Sequence, residues 1–258
     1  MKDLRATLVQ ADLYWEDKAA NLSAFTAKLN RLDAGETDLV LLPEMFTTGF
    51  TMNAAPLAEP ADGPTVEWMA GQAARLDAVV CGSFIALEAG RFYNRLVWMQ
   101  PDGRYRTYDK RHLFTLAGEH HTYTPGQQRL LVEWRGWKVL PLICYDLRFP
   151  AWSRNLEGYD LLIYVANWPS PRRHHWRSLL AGRAIENQAY TLGVNRVGLD
   201  GNGYPHTGDT SAIDFAGEEL LHLAQAEGCV TLSLSYQEQQ AFRQKLPFLA
   251  DRDTFSFE

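Results

Sequence analysis

Short apolar runs that stop abruptly recur along the whole chain, and the stretches between several of them place apolar residues at helical spacing. Residues 4–10 predict a first strand. Residues 18–32 predict a helix, with Ala19, Leu22, Phe25, Ala27, Leu29 and Leu32 as its apolar positions, and residues 38–42 a second strand. That β-α-β opening predicts parallel pairing through a right-handed crossover. A loop over 47–60 precedes a helix that Asp62-Gly63-Pro64-Thr65 starts and that Val66, Met69, Ala73 and Leu76 line on one face. Strands follow at 78–87 and 91–99, and the turn signal Pro101-Asp102-Gly103 predicts antiparallel neighbours, with residues 105–110 next. Residues 130–134 and 137–143 read as a hairpin through Arg135-Gly136, and 159–165 as a further buried strand. Residues 174–188 read as a helix, 190–197 as a strand, the glycine-rich 198–208 as a loop, and 210–215 as a run into a turn at Gly217. A last strand at 229–234 and a polar helix at 237–245 complete the pattern, whose alternation sets the fold class as α/β.

Three of the predicted strands end in ionisable or nucleophilic residues, at the edge where an α/β fold gathers its chemistry. Residues 39–42 run into Pro43-Glu44, 105–108 into Asp109-Lys110, and 139–143 into Cys144-Tyr145-Asp146-Leu147-Arg148. Pro150 predicts a helix through 156, which makes Cys144 the corner of a strand-to-helix elbow whose turn amides face charge developing beside the sulfur. Each residue also has a plainer reading. A lone cysteine usually fills core space, a lysine at a strand edge is usually solvated, and a carboxylate behind an apolar run is often neutralised by an arginine. Taken together, a base, a cation and a sulfur nucleophile are the parts that acyl transfer needs.

The ordered stretches Pro43-Glu44-Met45-Phe46, Tyr108-Asp109-Lys110-Arg111-His112-Leu113-Phe114 and Leu142-Ile143-Cys144-Tyr145-Asp146-Leu147-Arg148-Phe149-Pro150 resemble the three signatures of the nitrilase superfamily of carbon-nitrogen hydrolases. The resemblance runs over nearly the whole chain, and within the superfamily it is greatest to the ω-amidases, which hydrolyse 2-oxoglutaramate and similar dicarboxylic monoamides. It implies a four-layer α-β-β-α sandwich, one domain over residues 1–258, no cofactor, and a homodimer to which a tail at about 236–258 contributes. It also implies Glu44 as general base, Cys144 as nucleophile and Lys110 as a holder of the oxyanion. Glu119, within Gly118-Glu119-His120-His121-Thr122-Tyr123-Thr124-Pro125-Gly126, matches a second glutamate that orients the lysine or the substrate; a helix cap or surface ion pair is its structural alternative.

A dicarboxylic monoamide carries a distal carboxylate, for which Arg172 or Arg173 is the expected cation, with Phe114, Tyr145 and Trp168 shaping the channel. Arg148 is expected to pair with Asp146 or to steady one of the active carboxylates, and Met45, Phe46 and Phe50 are candidate walls. Another branch of the superfamily, an N-carbamyl amidohydrolase, aliphatic amidase or nitrilase, is the alternative activity, and a non-catalytic binding protein on the same fold the alternative class.

Composition narrows what such a site could serve. With 25 Lys and Arg against 31 Asp and Glu the formal net charge is -6, so the chain offers no basic field for nucleic acid. No apolar stretch reaches the length needed to span a bilayer, and residues 1–5 lead into a strand pattern without a signal core. Cys81, Cys144 and Cys229 form no close-spaced set, which fits a reducing compartment, so a cytosolic location is expected, with Cys81 and Cys229 in the core. His120-His121 has no further ligand at a useful interval, and no metal is expected. Gly201-Asn202-Gly203 reads as turn geometry and not as a nucleotide fingerprint. The expected partner is a small-molecule amide.

Overall fold

Strands with apolar residues at both odd and even positions need cover on both faces, and the chain supplies it with two sheets and two sets of helices. The computed structural model describes residues 2–257, so Met1 and Glu258, the last residue of the 236–258 tail, lie outside the described residues. The strands are β1 (Leu4–Gln10), β2 (Leu39–Leu41), β3 (Val79–Glu88), β4 (Arg91–Met99), β5 (Tyr105–Asp109), β6 (Val132–Trp134) and β7 (Trp137–Ile143). They continue with β8 (Leu161–Val165), β9 (Tyr190–Val194), β10 (Val197–Leu199), β11 (Pro205–Ile213), β12 (Glu219–Ala224) and β13 (Gly228–Leu234). The helices are α1 (Lys18–Leu29), α2 (Pro64–Leu76), α3 (Glu119–Thr122), α4 (Pro150–Ser153), α5 (Arg173–Asn187) and α6 (Tyr236–Lys245).

One sheet runs β13-β1-β2-β3-β4-β5, and the other β10-β11-β9-β8-β7-β6 with β12 also paired to β11. The pairs β1/β2, β2/β3, β7/β8 and β8/β9 are parallel, as the opening β-α-β pattern predicts for the first of them. The alternation of β2 separates two cores. Leu39 and Leu41 join the large core that lies between the sheets and continues under α5 through Trp176 and Leu180. Val40 and Leu42 join a second core with Phe25 and Leu29 of α1 and Met69 and Leu76 of α2. The layer order is helix, sheet, sheet, helix, the four-layer α/β sandwich that the resemblance implies.

Several predicted boundaries shift for identifiable reasons. The helix expected through residue 156 stops at Ser153, because Asn155 turns its backbone N–H to Asn187 Oδ1 (2.9 Å) and its side chain to the Tyr159 carbonyl (2.9 Å). The strand expected over 190–197 breaks after Val194, and the expected loop 198–208 is largely a β10–β11 hairpin in which Gly198 faces His206. Phe46 is wholly buried beneath Phe25, with ring centroids 5.5 Å apart, and Met45 is buried in a small separate cluster, so neither forms a cavity wall.

Candidate active site

Parallel strands bring the ends of β2, β7 and β8 to one rim, and Glu44, Cys144 and Asn167 follow those ends within three residues. Lys110 is the first residue after β5. Glu44, Lys110, Cys144 and Asn167 all line one cavity of about 580 Å³.

Glu44 and Glu119 are fully buried and Lys110 is 1% exposed. The Lys110 ammonium donates to Glu44 Oε1 at 2.8 Å and to Glu119 Oε1 and Oε2 at 3.0 and 2.9 Å, and it lies 5.0 Å from the centroid of the Phe50 ring. Burial opposes its charge, yet the Glu119 and Glu44 carboxylates outweigh burial and raise its pKa, which keeps it protonated. Glu119 is not on the cavity wall; it stands behind Lys110 and also accepts from the Phe114 amide. Burial raises its pKa, Lys110 works against that rise, and Glu44 adds to it.

Cys144 sits at φ +43°, a left-handed conformation that a side chain avoids unless its surroundings impose it. Asp146 imposes it. Its carboxylate accepts from the Tyr108 hydroxyl (2.7 Å), the Ile143 amide (3.1 Å) and the His112 amide (3.0 Å), while Trp152 donates to Tyr108 (2.9 Å). The segment that delivers Lys110 therefore clamps the elbow that carries the cysteine. The expected Asp146–Arg148 pair is absent, since Asp146 is occupied by these donors; Arg148 instead lies 4.6 Å over the Trp168 ring and 3.2 Å from His175 Nδ1. The Cys144 sulfur is 3.9 Å from the Asn167 carbonyl. Burial and the Glu44 charge push its thiol well above the ordinary range, and Lys110 pulls the other way.

Of the expected channel residues, Phe114, Tyr145, Arg148, Trp168 and Arg172 line the cavity, as does Phe50. Arg173 does not: it opens α5 and its guanidinium is bound to Asp209 at 2.6 and 3.1 Å. Among the described residues no group of three His, Cys, Asp or Glu is arranged to hold a metal ion. Cys81 is fully buried, whereas Cys229 is only half-buried at the margin of the second core.

Two amides that bond Glu44 have no role assigned from the sequence, although the loop beginning at Asn167 is expected at the cavity rim. Asn167 donates its amide to Glu44 Oε2 at 2.8 Å and its side chain to the Glu44 carbonyl. Asn94 donates to Glu44 Oε1 at 2.8 Å and to Glu119 Oε1 at 3.3 Å. Asn94 lies within β4 and Asn167 two residues past β8, and as neutral amides neither is marked by the sequence pattern as the neighbour of a carboxylate. A thiol, a carboxylate and an ammonium on one cavity wall can carry nucleophilic substitution at an acyl carbon.

The profile of the carbon-nitrogen hydrolase family matches residues 5–244. The chain is similar to the omega-amidase YafV of Yersinia enterocolitica, with 46% identity over 99% of each chain. It is also similar to the 2-oxoglutaramate amidase of Bacillus subtilis, with 33% identity over 85% of this chain and 86% of that one. Among solved structures it resembles XC1258 from Xanthomonas campestris, a CN-hydrolase superfamily protein with an arsenic adduct in its active site, at 45% identity, full coverage of both chains and a TM-score of 0.98.

Proposed function

The chain belongs to the carbon-nitrogen hydrolase family, and on that premise we propose that this amidase hydrolyses the terminal amide of short dicarboxylic monoamides, such as 2-oxoglutaramate, 2-oxosuccinamate and succinamate, to the acid and ammonia. Glu44 takes the thiol proton of Cys144 as the sulfur attacks the amide carbon, since a thiol raised by burial and a neighbouring carboxylate does not ionise on its own. The oxyanion is met by the Lys110 ammonium and the Tyr145 amide, the first after the nucleophile in its turn. Glu44 returns the proton to departing ammonia, then activates water against the thioester. Glu119 holds Lys110 in place from behind.

The observation that carries the substrate class is a pair of unneutralised cations on the cavity wall. Arg148 and Arg172 both line it, as do Glu16 and Asp200, yet among the described residues each arginine lies over an aromatic ring and forms no ion pair with a carboxylate. Burial lowers the Arg148 pKa most; of its neighbours the Tyr145 charge raises it and the Arg172 charge lowers it, a mutual repulsion between the two arginines. A distal carboxylate relieves that repulsion. The test compares succinamate with butyramide. Arg172→Ala should raise KM for succinamate roughly 10- to 100-fold, as loss of a charged hydrogen bond of about 1.5–3 kcal/mol requires, and leave butyramide little changed. Equal effects on both amides would remove the carboxylate reading.

The same reading includes a cytosolic homodimer. The free thiols support the compartment, and exposed aromatics of the tail, Phe248, Phe255 and Phe257, support the assembly. Among the described residues no helix is long and apolar enough to cross a membrane.

A further inference from the structure

Asn94 touches the site from behind at three points. Its side-chain nitrogen donates to Glu44 at 2.8 Å and Glu119 at 3.3 Å, and its main-chain carbonyl accepts the Lys110 amide at 3.0 Å. It is fully buried in β4 and lies off the cavity wall, so it does not meet substrate. Its own Oδ1 has no partner among the described residues. The amide thus turns both N–H bonds toward carboxylates and leaves its oxygen buried and unpaired, an arrangement that the two carboxylates must compensate.

We propose that Asn94 is a positioning residue that keeps Glu44 available as a base, by holding Glu44 and Glu119 ionised side by side around the single Lys110 charge. The inference rests on the reading of Glu44 as the base. Two buried carboxylates share one ammonium here, and like charges so close are ordinarily relieved by a proton bound between them. Such a proton would occupy the group that must accept one from Cys144. A carboxamide prevents this: it donates to two carboxylates at once and neither gives up nor takes a proton at working pH. Replacing it by a hydroxyl supplies one donor, and by an apolar side chain none.

The experiment measures kcat and KM on succinamate from about pH 5 to 9 for the parent, Asn94→Leu, Asn94→Ser and Glu44→Gln. Asn94→Leu should lower kcat on the order of 100-fold with KM little changed. Its acid limb should move up by about one pH unit, because the carboxylates lose a donor to their charged form. Asn94→Ser should fall between. A folded Asn94→Leu whose acid limb coincides with that of the parent overturns the proposal. In the parent itself, the Asn94 side-chain amide signals in nitrogen-15 NMR should shift with the midpoint of the acid limb; fixed signals overturn the proposal even where neither variant folds. An active Glu44→Gln would instead remove the base reading on which the proposal stands, so the two failures are separable.

Discussion

Lys110 is almost wholly withdrawn from water, held between two carboxylates and beside an aromatic ring, with the cavity on its remaining side. An ammonium held that way is useful to a developing oxyanion because it needs no reorganisation when charge appears. Lys110→Met should therefore lower kcat on succinamate on the order of 100- to 1000-fold. It should also destabilise the fold by about 3–5 kcal/mol, since it leaves buried carboxylates without their cation. Thermal unfolding and steady-state kinetics read the two effects separately, and near-parental turnover in a folded variant would end the oxyanion role. Gly126 shows how tightly that lysine is seated. A Cβ there would stand 2.1 Å from the Asp109 carbonyl, and the Gly126 amide bonds the Lys110 carbonyl at 2.9 Å. Gly126→Ala must displace the end of β5, so a loss of about 1–3 kcal/mol in unfolding free energy and slower turnover are expected. Glu44 was legible because it ends an apolar run, whereas Lys110 follows a mixed polar strand and Glu119 follows a glycine, so both took their meaning from the resemblance. Asn94 and Asn167 were not singled out, because a neutral amide acquires meaning only once a second strand has laid a carboxylate beside it.

Among elements, β11 shows what hydrophobic pattern alone does not reach. A bulge at Gly208–Thr210 puts Asp209 at φ +57° and aims its buried carboxylate across to α5 and β12. There it accepts from Arg173 Nη2 (2.6 Å) and the Thr207 hydroxyl (2.8 Å) and lies 2.8 Å from His222 Nε2. Burial works to raise its pKa, but hydrogen bonds from Arg173, His222 and Thr207 prevail and lower it. A carboxylate depressed on folding contributes stability above its unfolded pKa, lost as pH falls through the folded value. The stability gap between the parent and Asp209→Asn should hold from neutrality to about pH 4 and shrink below it. Denaturant titrations at several pH values test this, and a gap that widens in acid would contradict it. Arg173→Ala should share the loss of stability yet leave the succinamate KM near parental, in contrast to Arg172→Ala. Adjacent arginines look alike in sequence; they separate only because one precedes α5 and the other opens it. Strand β12 went unread for a related reason. Among the described residues it pairs only to β11, as an edge strand whose residues are all exposed or half-buried, so its apolar alternation is diluted.

For the whole molecule, the tail is one of the places where large apolar side chains stay open to solvent. Phe248, Phe255 and Phe257 are 59%, 40% and 43% exposed, unlike the deeply buried aromatics of both cores. Phe257 packs edge-on against Trp152 at 4.8 Å, under the Arg129 guanidinium at 6.0 Å, and Phe255 meets Phe257 at 5.5 Å. Trp152 in turn donates to the Tyr108 hydroxyl, which donates to Asp146 at the Cys144 elbow. The proposed homodimer thus gives the tail two roles to test, cover between copies and a brace for the Cys144 turn. A Phe255→Ser, Phe257→Ser double variant should sediment as a monomer where the parent sediments as a dimer. Its kcat on succinamate should fall by roughly tenfold, the scale of a modest loss of positioning, with the thiol still open to alkylation. A parent that sediments as a monomer at micromolar concentration would remove the dimer, and unchanged turnover in a monomeric double variant would show that the elbow is held by Asp146 without help from the tail.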